Sequence, residues 1–280
     1  MTRSTDLAAL AEHWSSALSS WAIPDEILRA ADRDPWALPV SRFAARADRM
    51  VDAPSGPSFE RAVEVLRGDP GSVLDVGSGA GAASLPLAGP LAAHATSITA
   101  VDSKPEMLQA FSERAEELGV AHATVEGIWP DVASDMSPHD VVVVHHVVYN
   151  VSDIVPFVRA LDQVGRRRVV LELPTHHPLT WMGPLWQQFH GITRPTQPIA
   201  GDLVEILSAL ELADVTAEYW TTRTEAGFPS DPAQRLEVAD LVAQRLCLPS
   251  SRAQDVADAL EHVDRDDRDL VTVSWTPTPR

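Results

Sequence analysis

The stretch VLDVGSGAGAASLPLA, from Val73 to Ala88, decides the fold. Its first residues are apolar apart from one acid, which is typical of a short buried strand. Gly77, Gly79 and Gly81 follow at once, and glycine permits both a tight turn and the close approach of a ligand to the backbone. The stretch therefore predicts a strand, a glycine-rich turn and a helix over residues 81–95, which together begin an α/β domain.

Strands and helices continue to alternate after this turn. Apolar runs of strand length recur with helical segments between most of them, and two more such runs lie near the C-terminus. This order predicts a doubly wound, mostly parallel seven-stranded sheet with an antiparallel C-terminal strand. The later predicted strands are SITAVD, HATVEG, DVVVVHHV, RRRVVLELP, DVTAEYWTT and DLVTVSWTP.

The chain divides into a helical beginning and a longer α/β part. Residues 1–70 carry helical patterns without a strand signal, so they are predicted to form an N-terminal helical cap. Residues 71–280 are predicted to form the α/β domain. Within it we expect a lid segment at 175–200 and a helical insertion at 231–263.

Composition excludes several classes of protein. The 280 residues carry a formal net charge of −18, which opposes binding to a nucleic-acid backbone. A single cysteine, Cys247, precludes an intramolecular disulfide and suits a reducing compartment. The first residues form no signal peptide, and no apolar run reaches the ~20 residues of a membrane span. The sequence therefore predicts a cytoplasmic protein with neither nucleic acid nor membrane as partner.

Two acids flank the glycine turn and indicate the cofactor. Asp75 precedes the first glycine by two residues, where its carboxylate would repel a pyrophosphate but would suit a cationic amino group. Asp102 ends the second strand, where an acid can accept hydrogen bonds from both hydroxyls of a ribose. A cofactor with an amino-acid end and a ribose is S-adenosylmethionine. The pattern Gly77-x-Gly79-x-x-Ala82 also fits a dinucleotide, so a nicotinamide-dependent oxidoreductase remains the alternative.

Over residues 72–174 the chain resembles the class I (Rossmann-like) S-adenosylmethionine-dependent methyltransferases. The resemblance rests on Asp75-x-Gly77-x-Gly79-x-Gly81 and on the segments VDSKPEML, VEGIWPD and DVVVVHHVVYNV. It implies that S-adenosylmethionine is the cofactor and that the reaction is methyl transfer. A protein that binds this cofactor without transferring methyl, and a protein methyltransferase, remain open as alternatives.

The resemblance also implies which residues contact the cofactor. Many members carry an acid for the adenine amino group at the position of Ile128, so here Asp131 or a backbone carbonyl would have to replace it. Trp129 either stacks on the adenine or fills the edge of the sheet. The full set of predicted cofactor contacts is Asp75, Gly77, Ser78, Gly79, Gly81, Asp102, Ser103, Met107, Gly127, Ile128, Trp129 and His145.

Catalytic candidates follow the fourth predicted strand. Ligands of open α/β sheets bind beyond the carboxyl ends of the strands, where His145 and His146 fall. Methyl transfer to a hydroxyl needs a base near neutrality, which makes His146 the first candidate and the nearby Tyr149 the second. In the alternative interpretation, the histidines are hydrogen-bonded packing residues at a strand end.

The segment LELPTHHPLTWMGPLWQQFHG, residues 171–191, is predicted to form the acceptor side of the site. Its apolar residues either line a pocket as a lid or pack as an amphipathic helix on the core. The predicted lid and substrate residues are His176, His177, Trp181, Trp186 and His190.

No metal is predicted, although histidines are frequent on this side. His145–His146 and His176–His177 are adjacent pairs, and adjacent side chains point apart along an extended chain. Neither a zincin pattern nor Cys-x-x-Cys is present. The expected partner is a small-molecule acceptor methylated at oxygen or nitrogen, and a second copy of the chain is an open option.

Overall fold

The computed structural model describes residues 6–37, 39–223, 229, 231–263 and 267–279. In this part of the chain, seven strands form one sheet in the order β3-β2-β1-β4-β5-β7-β6. The first five strands are parallel, and β7 runs antiparallel to both β5 and β6. The predicted fold is confirmed. The strands are β1 Gly71–Val76, β2 Ala95–Asp102, β3 Ala121–Glu126, β4 His139–His145, β5 Gly165–Pro174, β6 Ala213–Arg223 and β7 Asp267–Thr276.

Helices cover both faces of the sheet. Among the described residues, none of them is long and apolar enough to cross a membrane. The helices are α1 Leu7–Ser19, α2 Asp25–Ala30, α3 Val40–Asp52, α4 Pro57–Arg67, α5 Pro105–Glu117, α6 Ile154–Val164, α7 Gly183–His190, α8 Ala200–Ala209, α9 Pro232–Arg245 and α10 Ala253–Leu260.

The apolar core has one layer on each side of the sheet and a third cluster outside it. On one face, α1, α6 and α8 bury residues such as Trp14 and Phe157. On the other face, α4 and α5 bury residues such as Leu66 and Phe111. A separate cluster joins α2, α7, α9 and α10 through residues such as Leu246. Helices α2, α7, α9 and α10 therefore share a small core of their own outside the sheet.

The helices before residue 70 do not pack as one cap. Helix α1 lies against α8 and α6, α4 packs against β4 and β5 on the opposite face, and α2 belongs to the third cluster. Helix α3 contacts α5 and the segment after the glycine turn. Each helix presents its own apolar stripe to a different surface, so the predicted N-terminal cap over 1–70 is corrected to four separately docked helices.

The predicted helix after the glycine turn is wrong. Residues 81–95 form turns with a short 3₁₀ helix at Leu85–Leu87, and β2 begins at Ala95. Pro86 and Pro90 lack backbone N–H groups and cannot sit inside an α-helix without losing hydrogen bonds. The glycine turn is therefore followed by a compact loop in place of the expected helix N-terminus.

Strand order fixes the place of the site. The chain runs outward from β1 to β2 and β3 on one side and continues with β4 and β5 on the other. In open α/β sheets, ligands bind at such a switch point, beyond the carboxyl ends of the strands. The ends of β1, β2, β4 and β5 are the edge that carries the candidate residues.

Candidate active site

The three glycines of the turn have different reasons to be glycine. A Cβ at Gly77 would lie 2.4 Å from Val147, and a Cβ at Gly81 would lie 2.5 Å from Leu85. At Gly79 the nearest atom belongs to Phe43, 3.5 Å away. The turn is therefore packed against the protein at its two ends, and its middle glycine is where a ligand can approach the backbone.

Asp102 ties the end of β2 to the glycine turn. One of its carboxylate oxygens accepts a hydrogen bond from the backbone N–H of Gly79 at 2.8 Å. The other accepts one from the backbone N–H of Lys104 at 3.0 Å. The side chain is held in place and partly exposed. Each oxygen keeps a second lone pair, so the carboxylate can still accept bonds from ribose hydroxyls.

Asp75 is a buried acid with one unsatisfied oxygen. It is 1% exposed, and its Oδ2 accepts a hydrogen bond from Ser84 at 2.6 Å. Its Oδ1 is buried without a hydrogen-bond partner in the described part of the chain. Burial raises the pKa of this carboxyl to about 7. A cationic amino group beside Oδ1 would supply the missing partner, so the residue fits the amino-acid end of S-adenosylmethionine.

The residues predicted around the adenine separate into exposed and buried ones. Ser103 and Ile128 are exposed, whereas Met107 is buried at the start of α5. Trp129 is 6% exposed, lies in the core layer of α6 and donates a hydrogen bond to the carbonyl of Phe157. Its indole is thus committed to packing, which favours the alternative that it fills the edge of the sheet over stacking on the adenine.

Neighbouring residues complete the predicted cofactor set. Ser78 is buried in the turn, and its hydroxyl donates to the carbonyl of Gly79. At Gly127, a Cβ would lie 2.3 Å from Val132, so this glycine is required by packing. The structure thus gathers Asp75, the glycine turn and Asp102 at one place, with Met107 and Gly127 beside them.

A cluster of polar side chains lies at the ends of β4 and β5; we call Arg46, Ser58, His145, His146 and Glu172 the edge cluster. Glu172 is its centre and is 5% exposed. Its Oε1 lies 3.1 Å from His146 Nε2, 3.9 Å from His145 Nδ1 and 3.6 Å from an Arg46 nitrogen. The Ser58 hydroxyl donates to Oε2. Helices α3 and α4 therefore bring two partners to a carboxylate on the sheet.

A left-handed residue makes this arrangement possible. His146 has φ +61°, and its backbone N–H donates to the carbonyl of Glu172 at 2.7 Å. The chain is not extended at this point, so both imidazoles of the pair face the same carboxylate. The expectation that the adjacent histidines point apart is wrong for His145 and His146.

The protonation states of the edge cluster follow from its charges. Burial lowers the pKa of His146 to about 3, and the positive charge of Arg46 acts in the same direction. Burial also lowers the pKa of His145. Burial would raise the pKa of Glu172, but its imidazole neighbours and Ser58 hold it below its usual range. Near neutral pH, the carboxylate is therefore ionised and both histidines are neutral.

Neutral His146 is not a free base in this arrangement. An Arg46 nitrogen lies 2.7 Å from its Nε2 and the Glu172 Oε1 lies 3.1 Å from it, so this nitrogen is already engaged by protein groups whichever ring nitrogen carries the proton. Its Nδ1 is buried without a hydrogen-bond partner in the described residues. Within these same residues, no group of three or more His, Cys, Asp or Glu side chains is arranged to hold a metal ion.

Tyr149 and His177 pack behind the edge cluster. The Tyr149 hydroxyl donates to the carbonyl of Pro174 at 2.9 Å, and its ring stacks on Trp14 at 5.7 Å between centroids. Burial raises the pKa of Tyr149 above its ordinary value. His177 stacks on Trp21 at 3.8 Å, and burial lowers its pKa to about 4. The tyrosine hydroxyl is thus engaged in holding the end of β5.

The remaining lid residues lie mostly in the third cluster. Trp186 is 3% exposed, and His190 binds the carbonyl of Leu246 at 2.6 Å. Trp181 is partly buried against the same cluster, and His176 is exposed. Helix α7 thus packs as an amphipathic helix, which was the alternative to a lid. The core it packs on is the third cluster, outside the sheet.

Sequence patterns missed several members of the edge cluster. Arg46 and Ser58 come from α3 and α4, and no local motif marks them as partners of β5. Glu172 is absent from the predicted site residues. Its position directly beside His145 in the register of β4 and β5 was the available signal.

Comparisons with known proteins bear on the family and the fold. Residues 73–167, about a third of the chain, match the family model described as a methyltransferase domain. No curated protein matches. Among solved structures, coclaurine N-methyltransferase bound to N-methylheliamine and S-adenosylhomocysteine is 14% identical, covers 97% of this chain and 87% of its own, and has a TM-score of 0.53.

Two bacterial structures share the fold in the same way. The YcgJ protein of Bacillus subtilis is 16% identical over 80% of this chain and 99% of its own, with a TM-score of 0.51. TehB of Haemophilus influenzae is 13% identical over 83% and 67%, with a TM-score of 0.50. The glycine turn and the sheet around it therefore lie in a segment that is similar to a methyltransferase domain, and the chain shares the fold of these solved structures.

Proposed function

We propose that the protein transfers a methyl group to an oxygen or nitrogen atom of a small-molecule acceptor that binds beyond the carboxyl ends of β4 and β5. One observation carries this proposal. Asp75 and Asp102 flank the glycine turn, and the edge cluster stands at the ends of β4 and β5, while β1 and β4 are hydrogen-bonded neighbours. Two different polar sites therefore lie at neighbouring strand ends, which supports a donor and an acceptor bound side by side.

The donor half would be held by the acids and the turn. When bound, S-adenosylmethionine supplies a methyl group carried on a positively charged sulfur. We assign the ribose hydroxyls to Asp102 and the amino group to the unsatisfied Oδ1 of Asp75. The open side of Gly79 would allow backbone contact. Ser103 and Met107, at the start of α5, are proposed to lie beside the ribose and adenine.

On the acceptor side, His146 is proposed to receive the acceptor's proton. Its neutral imidazole is in the correct state for a base, but Arg46 occupies Nε2. The Arg46 side chain is 37% exposed, so it has room to turn toward a bound ligand and release that nitrogen. A low pKa makes a weak base, which favours an amine over a hydroxyl as the acceptor group.

Packing determines the other proposed roles. The Tyr149 hydroxyl is bound to Pro174, so we propose Tyr149 as part of the wall of the site and no longer as a proton carrier. His177 and Trp21 form a stacked pair beyond the end of β5 and are proposed to limit the acceptor pocket. Trp181 and the exposed His176 are proposed as the lid residues nearest to solvent.

Turnover with a fractionated metabolite extract tests the proposal. The purified protein and S-adenosylmethionine are incubated with each fraction, and S-adenosylhomocysteine is measured. We expect product with a small-molecule fraction, a loss of about ten-fold or more in kcat for His146→Ala, and near-normal turnover for the matched variant Tyr149→Phe. Tight cofactor binding without turnover in any fraction would instead indicate a non-catalytic binding protein.

A further inference from the structure

We propose that the methyl acceptor carries a carboxylate and that Arg268 is the residue that recognises it. This inference rests on the proposed function and adds the chemical class of the acceptor.

Strand register places Arg268 on the side of the edge cluster. Glu172 on β5 is paired with Thr272 on β7. Side chains two and four residues apart along a strand share a face, so Arg268, Leu270 and Thr272 lie on the face of Glu172. Pro174 pairs with Leu270, so Arg268 extends past the carboxyl end of β5. Arg268 thus lies beyond the end of β5, on the face that carries the edge cluster.

The Arg268 guanidinium lacks a partner of opposite charge. Among the described residues, none forms a hydrogen bond or an ion pair with it, although the side chain is partly buried. Glu172 is near enough to act on its charge, and Arg46 repels it. Glu218, on the same face of β6, is already bound to Arg61 at 3.2 Å. Within the described residues, this cation is therefore left without a neutralising partner.

A charge count gives the sign of the missing ligand. The two arginines Arg46 and Arg268 face one carboxylate, Glu172, and the two neighbouring histidines are neutral. The group thus carries one excess positive charge inside a chain whose net charge is −18. A ligand carboxylate can bind a guanidinium with two parallel hydrogen bonds and would remove the excess.

The position of β7 distinguishes the acceptor from the cofactor as the source of that carboxylate. Three strand spacings separate β1 from β7 in the sheet, which is about 14 Å. Arg46 stands on α3, the helix whose Phe43 approaches Gly79, and is therefore the arginine nearer to the glycine turn. Arg268 lies beyond β5, on the side that remains for the acceptor.

Binding of matched small molecules tests the assignment. Acetate, benzoate and phenylacetate are titrated by calorimetry into the protein saturated with S-adenosylhomocysteine, each beside its carboxamide. We expect at least one acid to bind about ten-fold or more tightly than its amide, as a charge-assisted hydrogen-bond pair would give. Arg268→Gln should abolish this preference, and Arg268→Lys should retain part of it. The matched control Arg159→Gln, an exposed arginine on α6, should retain all of it.

Three results would overturn the proposal. The first is that none of the three acids binds better than its amide to the unmodified protein. The second is that the preference survives in Arg268→Gln. The third is that Arg268→Gln lowers the affinity for S-adenosylhomocysteine as much as the affinity for the acids. The guanidinium would then bind the cofactor and not the acceptor. Failure of S-adenosylhomocysteine to bind the unmodified protein would separately refute the proposed function.

Discussion

Replacing Asp75 by asparagine should stabilise the folded protein at neutral pH and lower its affinity for the cofactor. The carboxyl is 1% exposed, and burial raises its pKa from 3.8 to about 7. Between these two values the folded protein holds a proton that the unfolded chain has lost. The free energy of unfolding therefore falls as pH rises through this window, and the asparagine variant does not suffer this loss.

The magnitude follows from the linkage relation. One pKa unit corresponds to about 1.4 kcal/mol, and the carboxyl is half titrated at pH 7, so from pH 5 to pH 7 the variant should gain about 2 kcal/mol on the unmodified protein. Above pH 7 the difference should level off. Asparagine can still accept the Ser84 hydrogen bond, so that contact contributes little to the slope.

Urea unfolding at several pH values measures this difference. Asp140→Asn is the matched control, because hydrogen bonds from Ser72 and the charge of Arg167 outweigh burial and lower the pKa of Asp140. That variant should be less stable than the unmodified protein, by an amount that stays constant between pH 5 and pH 7. A flat difference for Asp75→Asn across the same range would refute the reasoning about its buried carboxyl.

Further predictions concern the turn, the edge cluster and the release of protons. Gly77→Ala should destabilise the fold by about 3 kcal/mol in urea unfolding, because positive φ and the contact with Val147 add together, whereas Gly119→Ala, with similar φ and open space, should lose only about 1 kcal/mol. Equal losses would contradict this. Glu172→Gln should lower stability by about 1–3 kcal/mol, since Arg46 then lacks its carboxylate but is partly exposed; unchanged thermal unfolding would contradict the assignment. Calorimetry in two buffers at pH 6 should show proton release when S-adenosylmethionine binds, and Asp75→Asn should abolish it.

Local patterns predicted the sheet and the glycine turn between its first two strands. Hydrophobic runs of strand length fixed the alternation, and the spacing of Asp75, Gly79 and Asp102 predicted residues that meet at two adjacent strand ends. These features succeed because a strand, its turn and the next strand are close in sequence. The prolines at 86 and 90 are a local signal against a helix after the turn.

The acceptor half depended on contacts that no local pattern records. Ser58 and Glu172 are 114 residues apart in the chain, and Arg46 and His146 are 100 apart, yet they touch. The left-handed backbone of His146 reversed the expected directions of a histidine pair. The spacing of residues in the sequence also does not show that the Trp129 side chain is buried in the core. Tertiary packing decided these roles.

Binding of S-adenosylhomocysteine by isothermal titration calorimetry tests the central claim most directly. The account predicts binding to the unmodified protein, at least ten-fold weaker binding to Asp102→Ala because two ribose hydrogen bonds are lost, and no binding of NAD⁺. Tight binding of NAD⁺ in place of S-adenosylhomocysteine, or an affinity for S-adenosylhomocysteine that Asp102→Ala leaves unchanged, would contradict the account.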